Sequence, residues 1–234
     1  MIEQPPPGPG AGRDVGVGPH PLPWPDDPRL DPALLRAGDT RNVVDRYRYW
    51  RVEAVAADLA AHAHPFHVAV ENLGHDFNIG SVVRSANAFG AAGVHIVGRR
   101  RWNRRGAMVT DRYVALHHHE DTEQLAGWAA SAGLVLVGVD PVPGAVPLEQ
   151  AGLPRAALLL FGSEGPGLSP AALARCAQLV ALTQYGSTRS LNVGAAAAAV
   201  MAAWSLQHVH GWVPPAPGPA PRGLPPGPGG RPAV

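Results

Sequence analysis

Apolar and polar positions divide the middle of the chain into short runs of two kinds. Over residues 41–62, Val44, Tyr47, Trp50, Val55 and Leu59 recur near one face, which predicts a helix. Pro65 ends it, and residues 66–70 alternate as a short strand does. A polar, glycine-containing turn over 72–80 leads into a helix predicted over 81–89, and 93–98 reads as a second strand. Residues 121–132 read as a helix capped by Asp121 or Thr122. The runs 134–139 and 157–161 are continuously apolar and bounded by turn residues, the pattern of strands buried on both faces. Ser169 and Pro170 make a cap followed by a first-turn proline, opening another helix. Residues 179–182 form a last short strand, and 191–210 a long, alanine-rich helix. Strands alternating with helices predict an α/β domain with a mostly parallel sheet flanked by helices.

The ends differ in kind. Residues 1–40 contain ten prolines and 214–234 contain nine, and both stretches are expected to be disordered tails for want of apolar content. One domain is expected over 41–213, beginning with the first helix. Cys176 is the only cysteine, which excludes an internal disulfide and a cysteine-based zinc site. No apolar run reaches the roughly 18 residues of a membrane span, and the N-terminus carries no signal segment, so a cytoplasmic protein without membrane attachment is expected.

Charge matters locally. The whole chain carries a net +1, whereas residues 99–112 hold six arginines against Asp111. All nineteen basic residues are arginine, a compositional bias that weakens any argument from arginine over lysine at one site. Within the patch, Arg99, Arg100, Arg101, Arg104 and Arg105 surround Trp102, a mixture that suits phosphates together with unpaired bases. A solvated loop is the competing explanation. His117, His118 and His119 are consecutive and so cannot all face one ion in regular structure; they are expected at the surface, with no metal bound.

Three segments combine strand ends, polar loops and helix starts. The first runs from Asn72 through Asn78, Gly80 and Arg84 to Gly90. A helix start offers free N–H groups to an anion, but taken alone Arg84 reads as a solvated helix residue and Asn78 as a cap. The second, 158–170, is a buried strand followed by Gly162-Ser163-Glu164-Gly165-Pro166-Gly167. It lacks the spacing of a dinucleotide fingerprint and a Walker lysine, and Phe161 excludes a nucleophile elbow at Ser163. The third is Gln184 to Gly194, in which Ser190 and Asn192 are natural caps of the final helix.

In order and content, the three segments together resemble the motifs of the SpoU (TrmH-like) branch of the SPOUT methyltransferases. The match lies in Asn78, Gly80 and Arg84, in the glycine loop holding Glu164, and in Ser190-Leu191-Asn192-Val193, and it covers roughly residues 66–204. The resemblance implies a C-terminal deep trefoil knot, S-adenosylmethionine as cofactor, and a homodimer whose active sites draw on both subunits. It implies that Gly162, Glu164, Gly165, Gly167, Leu182, Gln184, Leu191 and Asn192 contact the cofactor. Many members carry Ile-Pro-Met where Leu182-Thr183-Gln184 stands here, so contacts at that stretch differ in detail.

The same resemblance implies methyl transfer to a ribose 2′-hydroxyl of RNA, with Arg84, Asn78, Glu164, Ser190 and Asn192 in the catalytic shell. The arginine patch and Arg84 would bind the RNA. A guanidinium with a pKa above about 12 is a poor base, which favours Arg84 as a binder of phosphate and of negative charge developing on the 2′-oxygen. Relatives acting on ribosomal RNA often carry a further folded N-terminal domain. The little room before Phe66 tilts the expectation toward transfer RNA, with ribosomal RNA as the alternative. A catalytically silent RNA-binding homologue would be expected to lack the polar motif residues, all of which are present.

Overall fold

The computed structural model describes residues 16–72, 78–163, 165–188 and 190–215. The chain divides into two compact units, one ending at Ala61 and one beginning at His62.

The first unit corrects an expectation. Residues 16–40, assigned to a disordered tail, carry defined structure, including helix α1 (Pro32–Ala37) capped by Asp31. Polar pairing supplies what apolar content does not. Val17 bridges to Asp39 and Leu30 to Trp50. The Asp39 carboxylate is fully buried and accepts hydrogen bonds from the Arg41 guanidinium at 2.6 and 2.8 Å and from the Tyr49 backbone N–H at 2.9 Å. Burial alone would raise the Asp39 pKa, but these donors and the Arg41 N–H outweigh it and hold the carboxyl at about 2. The helix predicted over 41–62 is also shorter. A single 3-10 turn at Asp45–Tyr47 precedes α2 (Val52–Ala61), because Tyr49, at φ 63°, interrupts the backbone while the apolar spacing runs on across it.

In the second unit the elements are β1 (His64–Asn72), α3 (Ile79–Ala88), β2 (Ala91–Gly98), β3 (Leu116–His119), α4 (Thr122–Ser131), β4 (Val135–Val139), β5 (Val146–Pro147), β6 (Ala157–Phe161), α5 (Pro170–Arg175), β7 (Gln178–Ala181) and α6 (Val193–His208). The seven strands among the described residues form one sheet in the order β3-β2-β1-β6-β4-β7-β5, and every neighbouring pair is parallel. Helices cover both faces. On one, Phe66, Val68 and Val70 of β1 pack with Val82 and Val83 of α3 and with Met201 and Trp204 of α6. On the other, Ala69, Leu158 and Leu160 meet Leu125 and Ala129 of α4 and Ala172 of α5. Cover on both sides explains why β4 and β6 read as continuous apolar runs. Trp204 fills the first layer, its ring 4.4 Å from that of Phe66, and its N–H donates to the carbonyls of Pro154 and Arg155. Cys176 packs against the second layer, and burial pushes its thiol up to about 11.

β3 and β5 were not foreseen. β3 is mostly histidine and β5 has two residues, so neither shows a strand's apolar signal. The placement of the histidines at the surface is overturned as well, because strand alternation sends them to opposite faces. His118 lies 2.7 Å from the Gly98 carbonyl. His117 and His119 join His67 and His95 beneath Trp128. His67 Nδ1 is 3.0 Å from His95 Nε2, and His95 Nδ1 is 2.9 Å from His119 Nε2, a chain of imidazoles across β1, β2 and β3. Gly93 makes room for it, since a Cβ there would sit 3.0 Å from His67 Nδ1. Burial, followed by the neighbouring histidines, lowers the His95 pKa to about 2 and that of His67 to about 4, and lowers His119; burial also lowers His117.

Candidate functional site

Ligands in parallel α/β sheets bind beyond the carboxyl ends of strands. Here the ends of β4, β6 and β7 and the start of α6 enclose a cavity of about 410 Å³. One wall is the loop after β6. Ser163 and Gly167 exchange two backbone hydrogen bonds of 3.1 Å, folding the loop back on itself. A Cβ at Gly162 would lie 2.0 Å from the Gly167 carbonyl carbon, and one at Gly167 (φ 74°) would lie 2.3 Å from Asp140 Oδ2. Only glycine fits either place. Asp140, just past β4, accepts the Leu168 N–H at 2.6 Å.

Beneath this loop lies Glu71, 2% exposed at the end of β1. Its carboxylate accepts from the Ser169 N–H (2.8 Å), the Ser169 hydroxyl (2.6 Å) and the Thr122 hydroxyl (3.1 Å). The Ser163 hydroxyl donates to the Glu71 carbonyl at 2.9 Å. One residue thus ties β1 to the glycine loop, to the cap of α5 and to the start of α4. Sequence reasoning missed both Glu71 and Asp140; the available signal was an acid closing an apolar strand. Glu71→Ala would strand three donors, and we expect it to destabilise the chain by about 3 kcal/mol in urea unfolding, with Glu71→Gln recovering part of the loss.

The opposite wall comprises Leu182, Gln184, Ser190, Leu191, Asn192, Val193 and Ala196. Asn192 caps α6, its Oδ1 accepting from the N–H groups of Gly194 and Ala195. Its Nδ2 donates to Asn78 Oδ1 at 2.9 Å, joining the first and third motifs. Asn78 precedes α3 but makes no side-chain cap bond there. The starts of the two helices cross closely, since a Cβ at Gly194 would lie 2.9 Å from Ser81 Cβ. On its other side the start of α3 abuts residues 106–107, where a Cβ at Gly80 would meet the Ala107 nitrogen at 2.6 Å.

Of the expected cofactor residues, Gly162, Gly165, Gly167, Leu182, Gln184, Leu191 and Asn192 all line the cavity, as does Ser190. Glu164 lies outside the described residues. Asn78 reaches the wall through Asn192. Arg84 does not line the cavity of its own chain; it is exposed on α3. The arginines of 99–105 are exposed, and their backbone is pinned by the Asn72 side chain, which donates to the carbonyls of Arg99 and Arg101 at 2.5 and 3.2 Å. Trp102 is half-buried against the first core layer. Among the described lining residues Asp140 is the one charged group, and none is basic.

A parallel sheet with a glycine-walled cavity at its carboxyl edge defines an α/β ligand-binding domain. The chain belongs to the SpoU rRNA methylase family, whose model matches residues 65–202. A relative in Mycolicibacterium vanbaalenii, described as an uncharacterized tRNA/rRNA methyltransferase, is 34% identical over 167 residues, covering 68% of this chain and 52% of the relative. The chain therefore spans about half the length of that relative. The SpoU methyltransferase AviRb from Streptomyces viridochromogenes, solved in complex with the cofactor AdoMet, has a TM-score of 0.57 and 26% identity, over 62% of this chain and 59% of AviRb. An AdoMet-bound rRNA methyltransferase from Sinorhizobium meliloti has a TM-score of 0.55 and 25% identity, over 64% of this chain and 60% of that one.

Proposed function

We propose that this chain transfers a methyl group from S-adenosylmethionine to a ribose 2′-hydroxyl of RNA, either transfer or ribosomal. The cavity carries the reading. Its size suits one nucleoside-like ligand, and its lining mixes apolar side chains with backbone and neutral polar groups. Among the described lining residues the charged group is Asp140, an acid, which suits a cationic sulfonium. The AdoMet-bound relatives support the same ligand.

When bound, the cofactor supplies an electrophilic methyl group for in-line displacement by the 2′-oxygen. The residues of the chain bind and orient. The loop of Gly162, Gly165 and Gly167, with Glu164, and the stretch Leu182, Gln184, Leu191 and Asn192 hold the cofactor, within a C-terminal trefoil knot. Asn78, Ser190 and Asn192 complete the polar shell. Arg84, absent from the cavity of its own chain, serves the shared active site of a homodimer by holding the adjacent phosphate and the charge forming on the 2′-oxygen.

Calorimetry with S-adenosylhomocysteine tests the cavity, with binding expected in the micromolar range and none of nicotinamide nucleotides. Arg84→Ala should lower methyl transfer to RNA by about 100-fold or more with cofactor affinity unchanged. Arg84→Lys should be nearly as poor, because an ammonium lacks the planar fork; near-normal turnover in that variant would refute bidentate binding.

A further inference from the structure

Met108 and Val109 join two single helical turns, Arg104–Ala107 and Thr110–Arg112, and both adopt left-handed backbone, with φ of 48° and 71°. That region is unfavourable for side chains other than glycine and asparagine, and most of all for a β-branched valine. Both side chains are also about half exposed, at 52% and 48%. Strain and apolar surface in water therefore coincide at one spot. The turn is nonetheless firmly held. The Thr110 hydroxyl donates to the Ala107 carbonyl at 2.6 Å, Arg104 pairs with Asp111 at 3.3 Å, and Gly80 lets residues 106–107 lie against the start of α3.

The surroundings indicate what covers this tip. Residues 99–112 carry six arginines and one acid, a surface for a polyanion. Trp102, the aromatic that sequence reasoning offered for stacking, is half-buried in the core, with the Arg104 guanidinium 5.6 Å from its ring centroid. The large apolar side chains this segment does expose are Met108 and Val109. A polyanion that also presents flat apolar faces is a nucleic acid with unstacked bases.

We propose that Met108 and Val109 form an apolar wedge that packs against an unstacked base of the RNA while the neighbouring arginines hold its phosphates. The proposal rests on the RNA reading above. Because the tip is anchored at the start of α3, beside the Asn78–Asn192 link to the cavity wall, it fixes where the strand lies relative to the cavity.

The test compares binding of a short oligouridylate with that of an abasic ribose-phosphate oligomer of equal length, across a range of salt. The wild-type chain is expected to prefer the base-bearing oligomer about ten-fold. Met108→Asn/Val109→Asn, which suits the left-handed backbone and so preserves the turn, should bring that ratio close to one without changing the salt dependence. Arg100→Ala/Arg101→Ala should instead weaken both oligomers alike and flatten the salt dependence. An undiminished base preference in the asparagine variant overturns the wedge. So does conversion of a dimer to a monomer in that variant with base preference intact, which would make the tip a contact between copies. Failure to bind either oligomer overturns the wedge and the RNA reading together, while S-adenosylhomocysteine binding reports separately on the cavity.

Discussion

Gly162→Ala is expected to abolish detectable S-adenosylhomocysteine binding, a loss of at least about 100-fold, while the chain stays folded. The added methyl would lie 2.0 Å from the Gly167 carbonyl carbon, 2.2 Å from its oxygen and 2.3 Å from the Leu168 nitrogen. All three are backbone atoms, so no flexible side chain can swing away. The loop must open, and opening breaks both Ser163–Gly167 hydrogen bonds that shape the cavity wall. Gly165→Ala is the control. Gly165 also has positive φ, at 94°, but a Cβ there meets no atom of the chain within 4 Å, so the loop stays closed and a smaller loss of binding is expected. A large effect at Gly162 with a small one at Gly165 would place the cause in the loop closure. Equal effects would refute that account.

Acid should unfold the second unit steeply. The His67–His95–His119 chain is satisfied by neutral rings, and burial holds His95 at about 2 and His67 at about 4 against an unfolded value near 6.5. Between those limits the unfolded chain binds more protons than the native one, so stability rises with pH. The contribution is complete above about pH 6.5 and is lost progressively as pH falls toward 4. The urea midpoint should therefore decline sharply below pH 6.5, well before most carboxylates titrate. His67→Phe, on the half-buried ring, should flatten the slope by about one proton. A midpoint constant down to pH 5 would show that the imidazoles are not held neutral by the fold.

What sequence reasoning could see depended on how far apart the interacting residues lie. β4 and β6 were legible because burial on both faces leaves an apolar run, and the caps at Ser169 and Asn192 because capping is local. β3 was not, since a strand of histidines acquires its meaning only from His67, His95 and Trp128 on other elements. The helix over 41–62 failed at Tyr49, where backbone conformation changes without any change in apolar spacing. In the site, the glycines and Asn192 were found as motif members, and they line one cavity. The roles of Glu71 and Asp140 rest on partners 98 and 28 residues away, and no local pattern records those bonds.

The two ends of the sheet carry a consequence for assembly. β5 amounts to Val146 and Pro147, and its proline has no N–H to offer a new neighbour. β3, at the other end, has four residues. Neither border can template a further strand of useful length, so growth of the sheet from one molecule into the next is suppressed at both sides. Among the described residues, open-ended stacking of sheets between copies of this chain is therefore disfavoured from the outset.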